Sequence, residues 1–286
     1  MTTRTATNGT VVVDIDDGLA HVRLSRPEKL NSLTREVFAD LVEIGTSLVD
    51  AGDVNAVVLT GEGRAFCAGL DLGEFQRMKS GERVGGTKNP AGQGEPLGAA
   101  KAVAQKAVHV WSLVPVPVIA GVAGVAYGGG LQVALGADVR IVGEDARLSM
   151  MEANWGLVPD MCGTQLLPRL VGPSQAKLLI FTAEVIDGAH AGRIGLADEV
   201  VADPVARALE IGRDLAGKSR SALVRSKTLV DLAADGASLA DGFAREQEYI
   251  GELMGSPEQI AAVEKRQALL AAQRAAKAES GKAAKE

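Results

Sequence analysis

The sequence predicts an α/β fold whose strands and helices alternate, followed by a C-terminal region that is helical throughout. Three observations support this fold class. Short apolar runs that end in glycine recur between residues 11 and 143. Segments with apolar residues at helical spacing separate these runs. From about Pro204 onward the chain is rich in Ala, Leu, Arg and Glu and shows only helical patterns. Such alternation is typical of layered α/β domains.

The N-terminal part is expected to form a hairpin and then a helix. Residues 11–16 and 19–25 alternate between apolar and polar, and they flank Asp17-Gly18, a pair that favours a tight hairpin turn. Thr34 is a suitable N-cap for a helix that reaches about Asp50, because apolar residues recur there at helical spacing.

The same alternation continues through the middle of the chain. Residues 79–98 are polar and rich in glycine and proline, which predicts a mobile loop or lid. Strands are predicted at 55–61, 115–122 and 137–143, and helices at 99–113 and after the glycines at 128–130. The predicted organisation is an α/β core over 10–200, a helical oligomerisation region over 201–275 and a flexible tail over 276–286.

Composition narrows the function classes. The net charge of −6 and the pI of about 5.3 disfavour a nucleic-acid or anionic-membrane surface. The sequence has no apolar run of membrane-spanning length, and its polar N-terminus lacks a signal-peptide core, so a cytoplasmic setting is expected. Two cysteines give no disulfide framework, and the isolated His21, His109 and His190 have no metal-ligand spacing. No metal is expected.

Two glycine-containing turns carry the most specific chemical signal. Residues 68–71 (AGLD) and 128–130 (GGG) each connect a strand to a helix. Backbone N–H groups at a helix start are unpaired and attract negative charge. Two such groups that converge would form an oxyanion hole for a carbonyl oxygen that becomes an enolate. Each turn taken alone is equally consistent with an ordinary strand–helix connection.

Four motifs occur in order: SRPEKLNSLT, RAFCAGLDL, PVIAGVAGVAYGGGLQVALGADVRI and MEANWGLVPDMCGTQLLPRLVG. Together they resemble the crotonase superfamily, the enoyl-CoA hydratase/isomerase family, over roughly residues 10–270. The resemblance implies a spiral of ββα repeats that form two stacked sheets, with a helical trimerisation region at the C-terminus. It also implies an acyl-CoA thioester substrate, no cofactor other than the coenzyme A of that substrate, and a homotrimer or dimer of trimers.

The resemblance also implies the roles of particular residues. The N–H groups of Leu70 and Gly129 would form the oxyanion hole. The residues implied to contact the coenzyme A or acyl part are Lys29, Leu30, Ala68, Leu70, Asp71, Leu72, Gly128, Gly129 and Trp155. Alternatives stay open for some of them, because Asp71 would serve equally as a helix cap and Trp155 as a packing residue.

The sequence departs from the hydratase pattern at Gln132. Hydratases of the family have two glutamates beside the substrate double bond, and Gln132 takes the place of the first, while the second maps onto Glu152. An amide cannot exchange a proton usefully near neutral pH, but it can position water or substrate. Asp160 resembles an aspartate of the family's dienoyl-CoA isomerases, although that branch carries a third acid at position 132. Asp160 could equally cap the helix that begins near Gly163.

Three functions remain open at this point. The first is hydration of a 2-trans-enoyl-CoA in fatty-acid metabolism, with Glu152 as the principal acid/base, Asp160 as a second proton-transfer group and Gln132 as a positioning group. The second is isomerisation of an enoyl- or dienoyl-CoA double bond, which the Glu152/Asp160 pair favours. The third is binding of acyl-CoA with little catalysis, suggested by the loss of the first glutamate.

Overall fold

The computed structural model describes residues 1–81 and 97–283, with side chains described as far as residue 274. The chain divides into two compact units, Met1–Ala216 and Gly217–Glu286. Most of the expected mobile loop at 79–98 lies outside the described residues. The described residues include no helix that is long and apolar enough to cross a membrane.

The first unit is built on a seven-stranded sheet, which consists of β1 (Thr2–Thr5), β2 (Val11–Asp16), β3 (Leu19–Leu24), β4 (Ala56–Gly61), β5 (Val118–Val122), β7 (Val139–Gly143) and β10 (Glu199–Val201). Its first three strands pair antiparallel, and the pairs from β3 onward are parallel. The strands lie side by side in the order β1-β2-β3-β4-β5-β7-β10.

A second sheet of three strands brings the two glycine-containing turns together. It consists of β6 (Val125–Tyr127), β8 (Arg147–Ser149) and β9 (Ile186–Asp187). Cys67 lies beside β6, since its N–H donates to the Val125 carbonyl at 3.0 Å and its carbonyl accepts from the Tyr127 N–H at 3.1 Å. Because the two segments run parallel, the turns that follow them lie at the same edge.

Helices cover the sheet and complete the alternation that the sequence predicts. In the first unit they are α1 (Arg35–Val49), α2 (Leu72–Lys79), α3 (Val103–Leu113), α4 (Gly129–Leu135), α5 (Gly163–Val171), α6 (Pro173–Thr182), α7 (Gly188–Arg193) and α8 (Pro204–Ala216). The α/β fold class is confirmed. The Asp17-Gly18 hairpin is confirmed, with both residues at positive φ. The helix capped by Thr34 is confirmed as α1.

The structure differs from the sequence prediction at three places. Strand β1 was not predicted, because all four of its residues are exposed on a sheet edge and carry no apolar pattern. Helix α3 begins at Val103 rather than at 99, because Leu97 and Ala100 first pair their backbone groups in a turn. The first compact unit extends to Ala216 rather than to 200, because α8 packs on the sheet through Ala208 against Val58 and Ile119.

The second unit consists of α9 (Arg220–Ala234), α10 (Leu239–Leu253) and α11 (Pro257–Ala283). Glu258 ties α11 to the start of α9, since its carboxylate accepts from the hydroxyls of Ser219 at 2.6 Å and Ser221 at 2.8 Å. Residues 276–283, expected as a flexible tail, continue α11, because alanine, lysine and glutamate favour helix. No residue of α9 or α10, both of which are described in full, is buried.

Candidate active site

A single cavity of about 740 Å³ collects the sequence-predicted site residues. It lies where the two glycine-containing turns meet the segment that carries Glu152. Every predicted residue except Leu30 lines it: Lys29, Ala68, Leu70, Asp71, Leu72, Gly128, Gly129, Gln132, Glu152, Trp155 and Asp160. These residues come from four separate stretches of the chain, so the fold and not local sequence brings them together.

Two backbone N–H groups are available in this cavity. Leu70 lies opposite Leu33, whose N–H donates to the Gly69 carbonyl at 2.8 Å and whose carbonyl accepts from the Asp71 N–H at 2.9 Å. Because N–H groups alternate sides along an extended segment, the Leu70 N–H points away from Leu33. Gly129 is the first residue of α4, where an N–H has no partner inside the helix. Among the described residues, neither N–H has a hydrogen-bond partner.

Glycine is required where the two turns approach each other. Gly69 has φ +89, and a Cβ placed there would lie 2.6 Å from the Tyr127 carbonyl oxygen and 3.9 Å from the Gly129 nitrogen. Gly128 has φ 50 and ψ −120, a backbone conformation that residues other than glycine avoid. A Cβ at Gly130 would lie 2.2 Å from the Cys67 carbonyl oxygen. The pairing of Cys67 with β6 therefore depends on small residues, and this pairing sets the spacing of the two N–H groups.

Glu152 is the buried carboxyl of the cavity. It lies in a short 3₁₀ helix, Met151–Trp155, that follows β8, and it is 9% exposed. Burial raises the pKa of the Glu152 carboxyl above its usual value, and the charge of Asp160 adds to this, while hydrogen bonds from its own backbone and from Gln132 act in the opposite direction. Its Oε2 is buried and has no hydrogen-bond partner among the described residues. A carboxyl whose pKa is raised in this way holds its proton more tightly than an exposed glutamate does, which suits it to proton exchange with a ligand in the cavity.

Gln132 is held on three sides. Its Nε2 donates to Glu152 Oε1 at 2.6 Å, and its Oε1 accepts from the backbone N–H groups of Met161 and Gly163, both at 2.9 Å. The side chain is 1% exposed. The amide therefore contacts the acid and the 161–163 backbone directly, which the sequence alone did not indicate.

Asp160 lines the cavity on the side of α5. The N-cap position of α5 is occupied by Cys162, in the left-handed conformation with φ 71 and no side-chain cap hydrogen bond. Asp160 thus lies two residues before the N-cap position of α5. Burial raises the pKa of the Cys162 thiol to about 11, so this thiol is protonated and inert near neutral pH.

Asp71 caps helix α2 and also lines the cavity. Its Oδ1 accepts from the Gly73 N–H at 2.9 Å and so caps α2, while its Oδ2 accepts from the Ser32 hydroxyl at 2.9 Å. These hydrogen bonds, led by the one from Gly73, lower the pKa of Asp71. Leu30 acts through its backbone, since its carbonyl accepts from the Ala68 N–H at 2.9 Å. Leu30 thus supports the first turn from outside the cavity.

These features can be compared with those of known proteins. A family model described as enoyl-CoA hydratase/isomerase matches residues 14–271. The short-chain-enoyl-CoA hydratase of Clostridium acetobutylicum is 32% identical over 252 residues, which cover 87% of this chain and 91% of that protein. The chain belongs to the enoyl-CoA hydratase/isomerase family.

Two further comparisons agree with this membership. The crotonyl-CoA hydratase of Syntrophomonas wolfei subsp. wolfei is 33% identical over 192 residues, 67% of this chain and 68% of that protein. The crystal structure of an enoyl-CoA hydratase from Bacillus anthracis superposes with a TM-score of 0.76 at 26% identity, covering 90% of this chain and 96% of that one. The crotonase fold expected from the sequence motifs is therefore confirmed.

Sequence reasoning missed one feature of this family member's cavity. Phe75 on α2 stacks on Trp155, with ring centroids 4.2 Å apart and an interplanar angle of 20°. The pair joins the wall that carries Leu70 to the wall that carries Glu152. In the sequence, Phe75 follows the RAFCAGLDL motif by three positions and Trp155 lies inside the MEANWGLVPDMCGTQLLPRLVG motif, and nothing marks the two as partners.

Proposed function

We propose that this family member is an enoyl-CoA hydratase, which adds water across the double bond of a 2-trans-enoyl-CoA in fatty-acid metabolism. One observation carries the proposal: the unpaired N–H groups of Leu70 and Gly129 line the same cavity as the buried carboxyl of Glu152. The relatives named as hydratases of short-chain enoyl-CoA and crotonyl-CoA support this choice of reaction.

In the proposed reaction, the thioester oxygen accepts hydrogen bonds from both N–H groups. Ionised Glu152 takes a proton from water while the water oxygen bonds to the β-carbon. The electron pair of the double bond moves toward the thioester, and its charge collects on the oxygen held by Leu70 and Gly129. Removing one such donor typically slows acyl chemistry about 100- to 1000-fold.

The α-carbon then takes a proton, and the product is a 3-hydroxyacyl-CoA. Glu152, which the first step has protonated, returns its proton to the α-carbon, and Asp160, which lines the same cavity, serves as the second proton-transfer group. The two acids together receive and return one proton, so the net change is the addition of one water. In this scheme Gln132 donates no proton and acts on Glu152.

A homotrimer or dimer of trimers is part of the proposal. The second unit supports it, because apolar side chains of its helices are exposed, among them Leu239, Phe243, Ile250 and Met254. Exposed apolar surface of this kind is typical of oligomer contacts. Analytical ultracentrifugation of the purified protein tests it, and a monomer at micromolar concentration would refute it.

Isomerisation of an enoyl- or dienoyl-CoA is the second candidate. The observation that favours it is the pair Glu152 and Asp160 in one cavity, since two acids can remove and return a proton without water. The experiment that separates the candidates is a product analysis. The protein is incubated with crotonyl-CoA, 2-decenoyl-CoA, 3-decenoyl-CoA and a 3,5-dienoyl-CoA, and products are analysed by mass spectrometry and absorbance.

The three outcomes have different meanings. A gain of one water on a 2-enoyl substrate supports hydration. An unchanged mass with a shifted double bond shows that the protein is an isomerase. Tight binding of acyl-CoA by calorimetry without turnover of any substrate would refute catalysis and favour a binding protein.

A further inference from the structure

Gln132 lies at the position where the hydratase pattern of the family has an acid. Its carboxamide can be oriented in only one way. Met161 and Gly163 both donate backbone N–H groups to one end of the amide, and the oxygen is the only acceptor of a carboxamide. The other end is therefore the NH₂ group, and it faces Glu152 Oε1 at 2.6 Å.

This orientation constrains Glu152. An amide NH₂ only donates, so Glu152 Oε1 must accept and cannot itself carry a proton toward Gln132. The remaining oxygen, Oε2, has no hydrogen-bond partner among the described residues. The two oxygens of this carboxyl are thus made unequal by their surroundings.

We propose that Gln132 is a positioning residue that confines the exchangeable proton of Glu152 to Oε2 and keeps Oε1 a permanent acceptor. The inference rests on the proposed role of Glu152 in hydration. In this arrangement Gln132 takes no part in proton transfer itself. It sets which oxygen of Glu152 reacts, and it fixes that oxygen relative to the 161–163 backbone.

The small space around Gln132 supports a dedicated role. A Cβ at Gly163 would lie 2.7 Å from Gln132 Oε1, so glycine allows the loop to approach the amide. A Cβ at Gly128 would lie 3.2 Å from Glu152 Oε1, on the other side of the same hydrogen bond. Glycines on both sides thus let backbone pack directly against the Gln132–Glu152 pair.

Few other charged side chains lie in the cavity where they could influence the pKa of Glu152. Among the described residues that line the cavity, the charged side chains besides Glu152 are Lys29, Asp71 and Asp160, and Tyr127 is a further titratable group. Of these, Asp160 acts on Glu152, and it raises the pKa of that carboxyl. Gln132 acts in the opposite direction by donating to Oε1. Burial is the largest influence on the pKa of Glu152, and of the described side chains Gln132 is the one whose hydrogen bond lowers it.

The decisive variant is Gln132→Glu. A carboxylate at 132 would still accept from the N–H groups of Met161 and Gly163, so it keeps the loop in place. Its second oxygen, however, would face Glu152 Oε1 at hydrogen-bond distance, and two acceptors in contact must share a proton. We expect the apparent pKa of the Glu152 carboxyl to rise by at least about one unit, as like charges in contact require.

Two readouts report this change. Isotope-edited infrared spectroscopy of protein labelled with ¹³C-glutamate follows protonation of the buried carboxyl without any substrate, and Glu152→Gln assigns its band. The pH dependence of kcat/KM for crotonyl-CoA reports the same group during turnover. Gln165→Glu makes the same chemical change on an exposed residue of α5 outside the cavity, and it is expected to match the wild type in both readouts.

Gln132→Met provides a second test if Gln132→Glu does not fold. Methionine removes the donor to Glu152, so the pKa of Glu152 is again expected to rise, while thermal stability falls because two backbone N–H groups lose their acceptor. Unchanged titration of Glu152 in both variants would overturn the inference. The variants could shift the infrared titration of Glu152 although the wild type hydrates no enoyl-CoA. That result would support the inference and refute the proposed function, so the two can fail separately.

Discussion

Gly69→Ala gives a sharp test of how the fold makes the oxyanion hole. The peptide between Gly69 and Leu70 carries one of the two N–H donors. An added methyl would lie 2.6 Å from the Tyr127 carbonyl oxygen, which belongs to backbone and cannot swing away. The peptide must therefore shift by several tenths of an ångström, and the Leu70 N–H moves with it. If the donor is lost, kcat falls about 100- to 1000-fold.

Positive φ itself adds a cost, and a control separates that cost from the loss of the donor. Gly172 has φ +77, and an added Cβ there has nothing within 4 Å. Gly172 also has ψ 158, a backbone region essentially restricted to glycine, so Gly172→Ala should lose about 1–3 kcal/mol of stability from backbone strain alone, with kcat unchanged. Thermal melts and initial rates with crotonyl-CoA compare the two variants. A folded Gly69→Ala enzyme as active as Gly172→Ala would refute the assignment of the Leu70 N–H.

Four further predictions concern Glu152 and Trp155. Glu152→Gln should lower kcat about 100- to 10,000-fold, with acyl-CoA affinity retained in calorimetry; an equal loss of affinity would mean that Glu152 binds and does not catalyse. Because the pKa of Glu152 is raised in the folded protein, kcat/KM should fall as the pH drops through a value above 4.5, the ordinary pKa of glutamate. A kcat/KM that falls only at pH 4.5 or below would contradict this. The raised pKa also means that the folded wild-type protein loses stability as the pH rises and Glu152 ionises. Glu152→Gln should therefore melt at a higher temperature than the wild type at neutral pH but not at pH 4. Trp155→Ala removes the stack on Phe75 and should raise KM about 2- to 10-fold, from the 0.5–1.5 kcal/mol typical of an aromatic pair, whereas the equivalent change at the exposed Phe181 should leave KM unchanged.

Features with a local cause were predictable from the sequence. The hairpin follows from Asp17-Gly18, where both residues adopt positive φ. The bounds of α1 follow from the cap at Thr34 and the apolar spacing after it. The membership of Leu70, Gly129 and Glu152 in one cavity followed from ordered motifs whose joint occurrence is specific, even though each glycine turn alone is common.

Features made by contacts between distant segments were not predictable. The Phe75–Trp155 stack joins residues on separate elements, and neither position has a pattern that marks its partner. The hydrogen bonds from the Met161 and Gly163 N–H groups to Gln132 form because the 161–163 segment passes beside the Gln132 side chain. A sequence pattern does not show which backbone groups a side chain will meet. Helix α8 resembles the helices after it in composition, and only its packing on the sheet places it in the first unit.

The most direct test of the account is the source of the oxygen in the product. Wild-type protein and Glu152→Gln are incubated side by side with crotonyl-CoA in ¹⁸O-labelled water, and the products are analysed by mass spectrometry. Hydration through Glu152 predicts a 3-hydroxyacyl-CoA whose hydroxyl carries the label, formed by the wild type and nearly absent with Glu152→Gln. An unlabelled product with a moved double bond, or equal labelling by both proteins, would contradict it.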